Sequence, residues 1–182
     1  MAEKRLAGTR ILMVIAPDQF RDEELLTPKQ LLTEAGATVQ VASTKSGEAK
    51  GMLGAKVTPD LLLADAKSSD YQGVVVVGGM GSPEYLWNDS KLHEIVREQS
   101  KENKVVASIC LSGAVLANAG VLKGKKATVW PMDESLKALS DGGAQYQEQP
   151  VVQDGKLITA NGPEAAQKFG ETIIAELSKV KV

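Results

Sequence analysis

Three predominantly apolar runs, without the alternation of a half-exposed strand, constrain the fold of this chain more than any other feature. They cover residues 10–16, 72–77 and 105–109, and the last ends directly at a cysteine. A strand with one face in water alternates apolar and polar residues, whereas a strand covered on both faces does not need to. These runs therefore predict buried, parallel strands with helices packed on both sides of the sheet.

Helical spacing between the runs supports this prediction. Apolar positions recur with helical period over residues 23–35, and further helices are expected over 90–103, with Ser90 as cap, and over 163–178. Residues 38–42 predict a second strand, and 151–159 a hairpin. The order favours a single α/β domain over residues 1–182, with a doubly wound, mainly parallel sheet. Sites in such sheets lie beyond the carboxyl ends of the strands.

Composition excludes several function classes. The chain has 21 basic and 23 acidic residues, mixed along its length, and a net charge of −2. This balance gives no electrostatic footprint for nucleic acid or an anionic membrane. One cysteine and one histidine cannot form a multi-cysteine or histidine-assembled metal site. We expect a cytoplasmic protein with no membrane span, no metal and no organic cofactor.

The cysteine, Cys110, lies where the third run meets a helical segment. Small residues surround it at Ser108, Ser112 and Gly113, as a tight strand-to-helix turn with an exposed nucleophile requires. The N-terminus of the following helix would favour the thiolate. The alternative is a small, inert core residue, which is common for a free cysteine.

Two loops at the same sheet edge supply possible partners. Of the acidic pair Glu23 and Glu24, at most one can face the cysteine, because neighbours on a helix point about 100° apart. Such a glutamate would share a proton with the thiol. The loop after the second run, Gly78 to Ser82, lacks the pattern of a phosphate-binding loop. It is interpreted as bringing the N–H of Gly79 or Met80 to an oxyanion hole, or else as a plain turn.

Two other residues bear on the chemistry. His93 lies among charged residues of a predicted helix, so a solvated position is expected rather than a place beside the thiol. A cysteine–histidine pair within one chain is therefore not predicted. Trp130, followed by a proline, is expected either to wall a pocket or to pack as a buried structural residue.

Several segments, in order, resemble the ThiJ/PfpI superfamily, which includes the Parkinson-disease-associated deglycase. The resemblance covers about residues 10–177, and the segments that carry it are Val77-Gly78-Gly79, Ala107-Ser108-Ile109-Cys110, Ala119 to Lys126, and Asp154-Gly155 with Thr159 to Pro163. It implies a flavodoxin-like α/β fold, a dimer or larger homo-oligomer, and Cys110 as the nucleophile. It further implies that Glu24, four residues before a proline, is the partner glutamate. Glu84 matches an acidic residue that peptidase-like members contribute across a subunit interface.

Three positions depart from the family pattern. Leu111 follows the cysteine where peptidase-like members have histidine. Trp130 stands where the deglycase branch often has histidine, and Asn161 where an arginine is frequent. A histidine-assisted peptidase and an arginine grip on an anion are therefore disfavoured. The pair of Cys110 and Glu24, with the N–H groups of Gly79 and Leu111, remains as the predicted site.

The resemblance implies three functions, which stay open on sequence alone. The first is an enzyme acting on small reactive carbonyls or the proteins they modify, with Cys110 as nucleophile and Glu24 as proton shuttle. The second is a redox-sensing or chaperone-like stress protein that works through oxidation of Cys110. The third is an intracellular peptidase or amidase. Met80, Glu84, Trp130 and Asn161 are the predicted pocket or interface residues.

Overall fold

The structure is a computed structural model that describes residues 4–179. Its strands and helices alternate as the apolar runs predict. In chain order they are β1 (Arg10–Ile15), β2 (Asp18–Phe20), α1 (Asp22–Glu34), β3 (Thr38–Ser43), β4 (Ala49–Gly51), β5 (Lys56–Val57), β6 (Leu61–Leu62), β7 (Gly73–Val76), α2 (Ser82–Tyr85), α3 (Ser90–Lys101), β8 (Val105–Ile109), α4 (Gly113–Asn118), β9 (Lys126–Ala127), α5 (Asp133–Asp141), β10 (Gln145–Tyr146), β11 (Val151–Asp154), β12 (Leu157–Ala160) and α6 (Ala166–Ser178). Short 3₁₀ turns cover Leu63–Asp65, Ser68–Asp70, Cys110–Ser112 and Pro163–Ala165.

A seven-stranded sheet organises the molecule, in the order β11-β12-β8-β7-β1-β3-β6. All pairs in it are parallel except the edge hairpin of β11 and β12. The chain moves from β1 to β3 in one direction and from β7 to β8 in the other, so the strand order reverses beside β1. The flavodoxin-like, mainly parallel fold predicted from the sequence is confirmed. A ligand is expected above this reversal, at the carboxyl ends of the strands.

Each face of the sheet has its own apolar core. Successive side chains of β1 point to opposite faces, so Met13 packs with α1 and α6 on one side, and Val14 with α3 and α4 on the other. Both faces of β1 are therefore covered, and five of its six residues are buried. This explains why the run of residues 10–16 contains no polar break.

The segment between β3 and β6 forms the hairpin of β4 and β5. Short strand β2 pairs with β4 and completes a three-stranded sheet. The buried carboxylate of Asp22 accepts the N–H groups of Leu53 and Ala55 at 2.9 and 2.8 Å. These bonds fix the hairpin against the start of α1, and so place it beside the predicted site.

The helix over residues 90–103 begins as expected at Ser90, but its cap is different. Asp89 is the N-cap, and its Oδ1 accepts the N–H of Leu92 at 2.8 Å. Within residues 4–179, no helix is long and apolar enough to cross a membrane. The same range holds no group of three acidic, histidine or cysteine side chains placed to bind a metal.

Candidate active site

Cys110 occupies a strained turn between β8 and α4. Its φ is +61°, in the left-handed region that residues other than glycine rarely adopt. Such a conformation costs on the order of 1–3 kcal/mol and persists only where surrounding contacts hold it. One of those contacts is the carbonyl of Cys110 itself, which accepts the N–H of Trp130 at 3.1 Å. The predicted sharp strand-to-helix turn is therefore present.

Side chains from α2 and the segment after it brace the next two residues of the turn. The indole N–H of Trp87 donates to the carbonyl of Leu111 at 2.8 Å. The hydroxyl of Ser112 donates to the carbonyl of Val77, at the end of β7, at 2.6 Å. The turn is thus tied to the neighbouring strand, and Cys110 is held in one place.

Glu24 is the glutamate that reaches the cysteine. It is fully buried, its Oε1 accepts the N–H of Gly78 at 3.1 Å, and its carboxyl group lies beside the thiol of Cys110, close enough to change the pKa of that thiol. The other carboxyl oxygen, Oε2, is buried with no N–H or O–H donor, so a proton on Glu24 is best placed there. Glu23 instead faces outward and makes a two-pronged ion pair with Arg21 at 2.9 and 3.0 Å.

Burial controls the electrostatics of this pair. It raises the pKa of Glu24 to about 8, against the smaller lowering effects of Cys110 and of the Gly78 N–H. Burial, followed by the nearby charge of Glu24, also raises the pKa of Cys110. The N–H groups of Leu111 and Gly79 act in the opposite direction on the thiol but do not outweigh burial.

The sequence-based expectation of a resting thiolate at a helix N-terminus is therefore wrong. Cys110 is 7% exposed, and burial penalises the charged form of its thiol. The reactive form is better described as a pair that has lost one of its two protons and shares the other.

Two glycines let the backbone approach the pair. A Cβ at Gly78 would lie 2.6 Å from the Cβ of Cys110 and 2.6 Å from Oε1 of Glu24. Gly79 has φ +112°, and a Cβ there would lie 2.4 Å from the carbonyl oxygen of Gln19. No side chain fits at either position, which explains the Gly-Gly sequence after β7. The N–H of Gly79 points to the sulfur, as predicted.

A pocket of about 120 Å³ lies over the sulfur. Its walls are almost entirely apolar, and they are Arg21, Met52, Gly79, Met80, Cys110, Leu111, Trp130 and Pro163. Met80 and Trp130 line it, as the sequence predicts. The N–H of Met80, however, faces the sulfur of Met52 at 3.5 Å, so Gly79 rather than Met80 supplies the N–H at this loop.

Two predicted pocket residues do not line this space. Glu84 is exposed on α2, and its expected place at a subunit interface stays a prediction. Asn161 is half-buried, and its N–H donates to the carbonyl of Pro150 at 2.9 Å. Sequence reasoning missed Met52, because only the fold of a distant hairpin brings it to the pocket.

His93 makes no contact with the thiol. Its Nε2 bonds to the carbonyl of Trp87 at 2.8 Å, and its side chain is half-buried rather than fully solvated. The imidazole thus fixes the segment that braces Leu111. A cysteine–histidine pair is absent from the site, as the sequence predicts.

A larger cavity, of about 390 Å³, lies at the opposite edge of the sheet. Thr9, Gln72 and Lys104 line it, each directly before a strand, so it opens at the amino ends. It has no thiol, and the ammonium of Lys104 pairs with Glu102 at 3.0 Å. Judged by volume alone, this cavity would be the candidate active site. The strained cysteine and the buried carboxyl group, however, lie at the smaller pocket.

The arrangement defines a class of protein: flavodoxin-like α/β proteins with a cysteine on a strained turn beside a buried glutamate. Family comparison agrees, because the model of the DJ-1/PfpI family matches residues 9–176. The chain belongs to this family. An uncharacterized protein of Methanocaldococcus jannaschii is 49% identical over 97% of this chain and 87% of its own length.

Two further comparisons agree. A deglycase of Pyrococcus abyssi is 34% identical over 84% of this chain and 90% of its own length. The crystal structure of a ThiJ/PfpI domain protein from Brachyspira murdochii has a TM-score of 0.89 and 28% identity, covering 99% of this chain and all of that one.

Proposed function

We propose that this protein is an enzyme that converts small α-oxo aldehydes, such as methylglyoxal, through a covalent intermediate on Cys110. Glu24 is the proton shuttle, and the N–H groups of Gly79 and Leu111 stabilise the charge that develops. The observation that carries the proposal is the fully buried carboxyl group of Glu24 beside the Cys110 thiol: a Cβ at Gly78 would lie 2.6 Å from both Oε1 of Glu24 and the Cβ of Cys110. A relative that bears the name deglycase supports chemistry of this kind.

The pair has the pKa that proton transfer near neutral pH requires. A group moves protons best when its pKa is close to the operating pH, and burial raises the pKa of Glu24 to about 8. With a pKa near 8, part of the pair has already lost its first proton near neutral pH, and the proton that remains is shared between the thiol and the carboxyl group. Glu24 can hold the proton, deliver it and take it back.

The reaction balances without an external oxidant. The sulfur of Cys110 adds to the aldehyde carbon, and the carbonyl oxygen takes the proton shared by the pair. Glu24 then removes the hydrogen on that carbon as a proton and returns a proton to the neighbouring carbon, while the proton of the new hydroxyl group passes to the neighbouring carbonyl oxygen. These two proton transfers leave a thioester of a 2-hydroxy acid. Water cleaves the thioester, releases the 2-hydroxy acid and restores the thiol. Overall, one α-oxo aldehyde and one water give one 2-hydroxy acid.

The other two candidates fit the site less well. Oxidation of a cysteine follows its exposure and thiolate character, and Cys110 is 7% exposed with a raised pKa. A peptidase needs space for a polypeptide and a base in place of histidine, whereas this pocket has about 120 Å³. Addition of a small aldehyde needs neither a resting thiolate nor a long cleft.

The test is conversion of methylglyoxal to lactate by the purified chain. The wild-type protein is expected to form lactate in stoichiometric yield with aldehyde consumed. Cys110→Ser is expected to lose turnover entirely, and Glu24→Gln to lose at least about a hundredfold, the lower range for a general acid–base residue.

Glu23→Gln provides the matched control, because it removes a carboxyl group from the same helical turn outside the pocket. It is expected to keep turnover close to that of the wild-type protein. Lactate formation that survives in Cys110→Ser would overturn the proposal.

A further inference from the structure

Trp130 combines a fixed backbone with an exposed ring. Its N–H donates to the carbonyl of Cys110, and its own carbonyl accepts the N–H of Met132 at 2.9 Å and the hydroxyl of Ser135. Its side chain is nevertheless 47% exposed. A large apolar ring held this firmly beside a reactive group, but not buried, is suited to contact a ligand.

Gly162 supports the back of the ring. A Cβ at Gly162 would lie 2.8 and 3.0 Å from two carbons of the Trp130 indole. The absence of a side chain at this position lets the backbone lie against the ring and restrict its movement. The indole is therefore an ordered wall of the pocket.

The rest of the pocket wall is apolar and carries no free charge. Met52 and Met80 are 39% and 51% exposed, and they are joined by the contact between the Met80 N–H and the Met52 sulfur. The one charged residue of the wall, Arg21, is paired with Glu23 through both carboxyl oxygens. A carboxylate entering this pocket would lose water without gaining a free cation.

We propose that Trp130, with Met52 and Met80, is a specificity-determining surface for the uncharged, apolar substituent of the substrate. The preferred substrates are α-oxo aldehydes that carry an aryl or alkyl group, and aldehydes that carry a carboxylate are rejected. This inference rests on the proposed function for its substrate class, but the surface can be tested without turnover. An aryl group gains contact with the indole and the methionine side chains, whereas a desolvated carboxylate is penalised.

The first test measures alkylation of Cys110 by iodoacetanilide, which is neutral and aromatic, and by iodoacetate, which is anionic. Each rate constant is divided by the rate constant for N-acetylcysteine under the same conditions, which removes the intrinsic reactivity of the reagent. The normalised rate is expected to favour iodoacetanilide by at least about tenfold, as one aromatic contact and one unfavourable charge imply. Equal normalised rates would overturn the inference.

Variants then assign the effect to Trp130. Trp130→Ala is expected to remove most of the preference, whereas Tyr146→Ala, which truncates an aromatic side chain exposed to 37% outside the pocket, is expected to keep it. If Trp130→Ala unfolds, Met80→Lys gives a second reading, because a new cation at the wall should raise the normalised rate of iodoacetate. Unchanged ratios in the folded variants would overturn the inference.

Turnover gives an independent reading. Trp130→Ala is expected to raise the KM for phenylglyoxal about tenfold more than the KM for methylglyoxal. If no aldehyde is turned over but the alkylation preference holds, the proposed function fails and the recognition surface stands. If aldehydes are turned over without any preference, the function stands and the recognition surface is refuted.

Discussion

Replacing Glu24 by glutamine should change how the stability of the protein depends on pH. Burial raises the pKa of Glu24 from 4.5 to about 8, so the folded state keeps a proton that the unfolded chain loses above pH 4.5. The folded state therefore binds more protons between these values, and the free energy of unfolding falls as pH rises through this window. Below pH 4.5, Glu24 is protonated in both the folded and the unfolded state, and its burial then costs no pH-dependent stability. Above pH 8, Glu24 is ionised in both states, and the folded state bears the full cost of the buried charge.

The magnitude follows from the size of the shift. At 1.36 kcal/mol per pKa unit, the full cost is about 5 kcal/mol, and about 2.5 kcal/mol of it falls between pH 5 and pH 7. Glutamine has a similar shape, can accept the Gly78 N–H and does not titrate. Between pH 5 and pH 7, Glu24→Gln should therefore lose about 2.5 kcal/mol less free energy of unfolding than the wild-type protein loses.

Urea denaturation followed by circular dichroism at pH 5, 6 and 7 measures this difference. Glu23→Gln is the control, because the pKa of Glu23 is lowered by its hydrogen bond to Arg21. The stability that Glu23 contributes to the wild-type protein is lost as pH falls, not as pH rises. The Glu23→Gln variant should therefore lose as much free energy of unfolding between pH 5 and pH 7 as the wild-type protein does. The reasoning is refuted if Glu24→Gln and the wild-type protein lose the same stability over this range.

Three further results are expected. The value of kcat/KM for methylglyoxal should rise with pH and level off above about pH 8, because the pair of Cys110 and Glu24 must lose its first proton; a flat profile from pH 6 to 9 would contradict this. Gly78→Ala should lower lactate formation and the urea midpoint together, because its Cβ would lie 2.6 Å from the Cβ of Cys110; unchanged activity would show that the close approach is dispensable. Ser112→Ala should cost about 1–3 kcal/mol of stability by leaving the buried Val77 carbonyl unpaired, and an unchanged urea midpoint would exclude that role.

The sheet was predictable because its central strands are covered on both faces. Full coverage removes most polar residues from β1, β7 and β8, and this leaves a pattern that few other structures share. Strands β4, β5 and β6 are only two or three residues long. Their pairing depends on distant segments, so the sequence does not locate them.

The helix cap shows a similar limit. Asp89 and Ser90 are adjacent and both types cap helices well. A shift of one residue in the helix start decides between them, and sequence spacing does not resolve such a shift.

The site was predictable where local sequence sets the geometry. Small residues around Cys110 and two glycines after β7 are requirements of close backbone packing, and they are visible in the sequence. The choice between Glu23 and Glu24 needed the resemblance to a known family, because either one could have faced the cysteine. The structure resolves the choice, since Glu24 is buried and Glu23 faces Arg21.

Burial and long-range contacts were not predictable. The helix N-terminus after Cys110 suggested a stabilised thiolate, but the burial of Cys110 in the core raises its pKa instead. Met52 reaches the pocket only through a hairpin that Asp22 fixes. Asn161 occupies a position next to the pocket in sequence, but it is not part of the wall.

A proton held on Glu24 beside the thiol is the feature on which the stability, the pH profile and the chemistry all depend. Carbon-13 NMR of protein labelled at the glutamate carboxyl carbons, with the Glu24 signal assigned by its loss in Glu24→Gln, follows that proton directly. The Glu24 signal should change with a midpoint near pH 8. A midpoint near pH 4.5 would mean that burial does not keep a proton on Glu24 at neutral pH, and the pH profile and the stability change predicted here would be wrong.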